Sequence, residues 1–76
     1  MNEFLRYVVG KLVEHPDEVA VSHREDQGKI TYLLELNRGD IGRLIGKGGA
    51  TIKAIRDLVS AAAEQQGNKA DVTVLE

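Results

Sequence analysis

The chain has 76 residues, no cysteine, two histidines and a formal net charge of −2. A chain of this length forms one small domain, and the lack of cysteine excludes a disulfide framework and a cysteine-based zinc site. No apolar run approaches the roughly 18 residues of a membrane span, and no signal-peptide pattern opens the chain. We therefore expect a cytoplasmic protein with no metal, no cofactor and no membrane contact.

Charge is distributed unevenly along the chain. Residues 37–57 carry five basic and two acidic side chains, a net charge of +3, whereas the other residues carry five basic and ten acidic ones. A polyanion responds to the local field within a Debye length of roughly 8 Å, so the basic segment matters more than the total. Its basic residues are Arg38, Arg43, Lys47, Lys53 and Arg56.

The first half of the chain predicts one helix and two strands. Apolar residues at helical spacing predict a helix over 2–14, with Asn2 as its N-cap and Pro16 ending it. Alternation in "EVAVSHRE" predicts a strand over 18–25, and the apolar run "KITYLLELN" predicts a central strand over 29–37. "DQGK" between them indicates an antiparallel hairpin. Tyr32 is expected in the core of the domain.

The second half predicts two helices and a last strand. Apolar residues at 41, 44 and 45 predict a short helix, and those from 52 to 63 predict a longer helix that ends at Gly67. "DVTVLE" predicts a strand over 71–76, which a right-handed crossover places parallel to the second strand. We therefore predict an α+β fold in the order α-β-β-α-α-β, with three helices covering one face of a three-stranded mixed sheet.

Three glycines at 46, 48 and 49 separate the two helices. Glycine adopts positive φ without a Cβ penalty, and the first amides of the following helix favour an anion. Lys47 adds a cation, so the segment fits a phosphate-contacting turn. A Walker loop is excluded because the spacing from Gly42 is one residue short, and a dinucleotide fingerprint would follow a strand. A plain helix–helix turn is the alternative.

The segment Ile45-Gly46-Lys47-Gly48-Gly49-Ala50-Thr51-Ile52 matches the signature of a KH domain, whose GXXG loop clamps the backbone of about four nucleotides. The element order resembles the type II, bacterial arrangement, and the length resembles the small bacterial KH-domain proteins of the KhpA family. The resemblance implies a single KH domain over residues 1–76, with its GXXG loop at 46–49. It also implies a bacterial single-stranded RNA-binding protein, an RNA chaperone or post-transcriptional regulator of low sequence specificity, with roles in cell shape and cell wall biogenesis.

The resemblance also supplies the predicted site. The short "QQGNK" segment departs from the longer variable loop expected beside the RNA groove, which implies a shallow groove and weak binding. No catalytic constellation is present, so we do not expect an enzyme. Carried over residue by residue, the RNA-binding set is Gly42, Arg43, Ile45, Gly46, Lys47, Gly48, Gly49, Ile52 and Lys53.

A second apolar arc on the long helix carries Ala54, Leu58 and Ala61 beside its core-facing arc. Together the two arcs span about 200°, more than a helix on one sheet needs. This surface predicts a homodimer contact, or a heteromer with a KhpB-like KH-containing protein; helix propensity of alanine is the alternative explanation. A KH-fold interaction module with little RNA binding of its own therefore remains the alternative function.

Overall fold

Three strands form a mixed sheet, and three helices cover one of its faces. The computed structural model describes residues 1–76. In chain order the elements are α1 (Asn2–Leu12), β1 (Ala20–Asp26), β2 (Lys29–Glu35), α2 (Ile41–Ile45), α3 (Ala50–Glu64) and β3 (Lys69–Val74). Short 3-10 turns occupy Pro16–Glu18, Arg38–Asp40 and Lys47–Gly49. The predicted fold class and element order are confirmed.

β2 is the central strand of the sheet. It pairs antiparallel with β1 and parallel with β3. Gln27 and Gly28, at φ 51° and 80°, form the two-residue hairpin turn, since positive φ at both positions matches the twist of the flanking strands. The helices between β2 and β3 form the crossover that makes these two strands parallel.

The core lies between the sheet and the helices. α1, α2 and α3 each contribute buried side chains, and the sheet contributes alternate residues from its inner face. Tyr32 is 8% exposed, which confirms its predicted place in the core. The buried hydrophobic residues are Leu5, Val9, Val19, Tyr32, Leu34, Leu44, Ile52, Ile55, Val59 and Val72.

α1 begins at Asn2 as predicted, but its predicted N-cap and its predicted end were wrong. Met1 holds the N-cap position, and Asn2 instead reaches the sheet, where its Oδ1 lies 3.0 Å from His23 Nδ1. The helix ends at Leu12 because Val13 is extended, with φ −111° and ψ 163°. Pro16 therefore begins a 3-10 turn and does not itself end the helix.

The end of α3 agrees with the sequence. Gly67 has φ 76°, donates its N–H to Glu64 O at 3.0 Å, and is followed by an N–H···O bond from Asn68 to Ala63 at 2.9 Å. These two bonds form a Schellman cap and confirm Gly67 as the left-handed cap. β3 begins at Lys69, two residues earlier than predicted, because Lys69 already pairs with Lys29 of β2.

Asp40, immediately before α2, is the one buried charged residue, with 1% exposure. Its Oδ1 accepts the Glu14 N–H at 3.1 Å, and its Oδ2 accepts the His15 N–H at 3.0 Å. The His15 ring adds a third contact, with Nδ1 at 3.0 Å from Oδ2. A buried carboxylate needs such partners, and these ones join the end of α1 to the start of α2.

The Asp40–His15 contact shifts both pKa values. The hydrogen bond to Asp40 raises the pKa of His15 above 6.5; partial burial opposes this, and the charges of Asp40, Glu18 and Glu14 add to it. Burial alone would raise the pKa of Asp40, but hydrogen bonds from Glu14 and His15 lower it below 3.8.

We predict that thermal stability falls as the pH rises through neutrality. A raised His15 pKa stabilises the fold below about pH 6.5, and this contribution is lost as the pH passes the folded-state pKa. The lowered Asp40 pKa acts oppositely, stabilising the fold above about pH 4. Melting curves from pH 5 to 9 should show the fall in the parent and in His23→Gln, but not in His15→Gln. A parallel fall in His15→Gln would contradict the assignment.

Candidate nucleic-acid interface

Residues Gly46–Gly49, here called the glycine turn, reverse the chain between α2 and α3. Gly46, Gly48 and Gly49 have φ of 77°, 63° and 79°. A Cβ at Gly46 would lie 2.3 Å from Thr51 Oγ1 and 2.9 Å from Thr51 N, which no side chain can tolerate. Gly48 and Gly49 have open space around them, so they are required for their positive φ alone.

The glycine turn carries backbone amides on exposed residues. Gly46 donates to Gly42 O at 3.0 Å, Gly49 donates to Gly46 O at 3.1 Å, and Ala50 donates to Lys47 O. The amides of Lys47 and Gly48 precede the first hydrogen bond of this 3-10 turn, so the turn gives them no acceptor, and both residues are exposed. They lie at the start of the 15-residue α3, whose dipole favours negative charge at this end. The turn can therefore accept an anion such as a phosphate.

The structure brings most of the predicted RNA-binding set together on one corner of the domain. Gly42 and Arg43 are exposed on α2, Ile45 is half-buried beside the turn, and Lys53 is exposed on the first turns of α3. Ile52 differs, because its side chain is 5% exposed and packs in the core. Ile52 therefore supports the site from beneath and has almost no surface of its own there.

Three of the five basic side chains in this segment already have acidic partners. Arg43 pairs with Glu14 and Asp40; Lys53 Nζ lies 3.0 Å from Asp57 Oδ2; Arg56 Nε lies 3.7 Å from Asp71 Oδ1. Lys47 and Arg38 form no ion pair. The positive field is therefore weaker than the net charge of +3 suggests, and Lys47 is the free cation on the turn itself.

The loop at residues 65–68 lies at the other end of α3 from the glycine turn. A helix of 15 residues is about 22 Å long at ~1.5 Å per residue. The shortness of this loop therefore does not limit the surface beside the turn. The prediction that this short loop makes the RNA groove shallow therefore concerns the far end of α3, and it stays a prediction.

The outer face of α3 carries the predicted interface residues. Ala54, Leu58 and Ala61 are all exposed, and Leu58 is 56% exposed. Leu58 is thus the most exposed aliphatic side chain among the large hydrophobic residues that reach the surface.

The other features considered are metal ligands, membrane-spanning helices and the two histidines. No three His, Cys, Asp or Glu side chains lie close enough together to hold a metal ion. No helix has the length and apolar character needed to cross a membrane. His15 is held by Asp40, and His23 by Asn2. No local sequence pattern indicates the Asp40 network, since its partners lie about 25 residues away along the chain.

Comparison with known proteins agrees with the fold. The family model described as "KhpA/KhpB, KH domain" matches residues 2–74. The chain is 42% identical over 76 residues to the RNA-binding protein KhpA of Chlamydia muridarum, covering 100% of this chain and 97% of that one. It is 37% identical to the KhpA of Listeria monocytogenes strain EGD-e, with 100% of both chains covered.

A solved structure shows the same fold. The crystal structure of APE1850 superposes with a TM-score of 0.65 and 26% sequence identity, over 93% of this chain and 49% of that one. The match therefore spans about half of the larger protein. Together with the family model and the full-length relatives, it shows that the chain belongs to the KhpA/KhpB family of KH domains.

Proposed function

We propose that residues 1–76 act as one KH domain that binds single-stranded RNA through the glycine turn, its GXXG loop. The observation that carries this proposal is the pair of amides at Lys47 and Gly48, which lie on exposed residues and have no acceptor within the turn, beside an unpaired lysine at the start of α3. Backbone amides at a helix start bind phosphate oxygens well. RNA is the favoured polyanion because the full-length relatives are RNA-binding proteins.

The proposed binding has low sequence specificity. The chain has three aromatic residues and no tryptophan, and Tyr32 is buried, so few rings can stack on bases. Backbone contacts carry little sequence information. These features support an RNA chaperone or post-transcriptional regulator. The proposal places it in the cytoplasm and includes no catalytic step.

We predict that Lys47→Asp combined with Gly48→Asp weakens RNA binding at least tenfold, or about 1.4 kcal/mol. Both carboxylates would face phosphates, while aspartate tolerates the positive φ of Gly48 better than most residues. Fluorescence anisotropy with a labelled oligouridylate measures the affinity, and circular dichroism checks the fold.

The matched control for this variant is Gln27→Asp combined with Lys29→Asp. It changes the charge by the same amount at the hairpin, where Gly28 O contacts Lys69 at the far end of α3 from the glycine turn. The control should bind RNA nearly as well as the parent. Equal affinity in the two folded variants would remove the glycine turn from the binding site.

A second prediction concerns salt. Contact with two to four phosphates of a single strand gives a slope of log K against log salt of about −1.5 to −3. Titrations between about 50 and 200 mM salt would measure it. A slope near zero would show that the cations of this corner do not contact the strand.

The exposed outer face of α3 supports a second function, association with another KH domain. Leu58, at 56% exposure, lies between two exposed alanines, and small residues allow another helix to approach closely. A two-fold contact in which the helix meets its own copy fits such a patch. The contact would serve a homodimer or a heteromer with a KhpB-like protein, and the family that contains this chain includes both kinds of domain.

We predict that Leu58→Lys gives a folded monomer while the parent forms a dimer. Lysine places a charge in the middle of the proposed contact, where it would be desolvated. Sedimentation equilibrium at ~100 µM protein measures the mass, since association depends on protomer concentration. Leu75→Lys, at a leucine 40% exposed outside the patch, should stay dimeric. A monomeric parent would leave only the heteromer.

A further inference from the structure

Arg43, on the last turn of α2, is held by two carboxylates of different character. Its Nη2 donates to Glu14 Oε1, and its Nε lies 3.7 Å from Asp40 Oδ1. Asp40 is buried and fixed by backbone amides. The Glu14 side chain is 62% exposed, and its carboxylate has Arg43 as its only partner. Glu14 can therefore change partner or be replaced without disturbing the core.

The Glu14 carboxylate occupies the Nη2 group of Arg43, which is one of the N–H groups that a phosphate would use. A guanidinium binds carboxylates and phosphates through the same N–H groups and in the same planar geometry. Arg43 precedes Lys47 by four residues and belongs to the same corner of the domain, yet Lys47 forms no ion pair. The two cations nearest the glycine turn therefore differ in their availability to a bound strand.

We propose that Glu14 sets the affinity of this domain for RNA by holding Arg43 in an ion pair that a backbone phosphate must displace. The inference rests on the proposed function, binding of RNA at the glycine turn. Exposed ion pairs contribute little net stability because both partners return readily to water. A phosphodiester, with the same charge as a carboxylate, can therefore replace Glu14, whose freed carboxylate then repels the strand.

The test is Glu14→Gln, which removes the charge and keeps the shape of the side chain. We expect RNA binding about two- to fivefold tighter than the parent, which is the strength of one exposed ion pair. The salt slope should steepen by about 0.7, the value for one more phosphate contact on a single strand. Anisotropy with labelled oligouridylate at several salt concentrations measures both quantities.

Two controls separate the ion pair from a general charge effect. Asp17→Asn makes the same charge change three residues away, at an exposed carboxylate that contacts no basic side chain, and should bind as the parent does. In an Arg43→Gln background, Glu14→Gln should change nothing. Unchanged affinity in Glu14→Gln, or a gain that persists without Arg43, would overturn the role of Glu14.

The variant of the glycine turn distinguishes this inference from the proposed function. Loss of binding in Lys47→Asp with Gly48→Asp, together with no gain in Glu14→Gln, leaves the RNA site standing and overturns the role of Glu14 alone. Retained binding in the turn variant overturns the RNA site, and with it the role of Glu14 there.

Discussion

The contact between Gly46 and Thr51 is the constraint on which the site depends. Any side chain at residue 46 would meet Thr51 at 2.3 Å, so the chain can reverse this tightly only with glycine there. The reversal sets α2 and the start of α3 side by side and exposes Lys47 and Gly48, whose amides have no acceptor within the turn. The same steric requirement therefore builds the fold at this corner and exposes the residues proposed to bind phosphate.

Asp40 holds the other end of α2. A helix of five residues is not stable in isolation, because too few hydrogen bonds compensate for the cost of nucleation. The buried Asp40 carboxylate ties its start to the chain after α1, and Leu44 anchors it in the core. The network has an electrostatic consequence: Asp40 and Glu14 neutralise Arg43, so the proposed attraction for phosphate depends more on Lys47 and the amides of the turn than the number of basic residues suggests.

Features with a local cause could be predicted from the sequence, and features with distant partners could not. The period of the apolar residues predicts each helix and strand, and the positive φ at Gly67 and the glycine turn follows from residue type. Asn2 has the residue type of a helix cap, yet its partner His23 lies 21 residues away. From the sequence, Asp40 can likewise be identified only as a charged residue. Its burial depends on backbone amides contributed by a distant segment.

α3 connects the two proposed activities geometrically. Its first turn lies behind the glycine turn, and Leu58 lies near its middle, nine residues beyond Gly49. An antiparallel two-fold contact centred on Leu58 would place the two glycine turns about 27 Å apart along the helix axes, at ~1.5 Å per residue. One flexible RNA strand can span that distance, and its second contact would then be intramolecular. Each site alone would be weak and unspecific, because one domain has few free cations. A dimer would bind a single strand more tightly, because its second contact adds avidity.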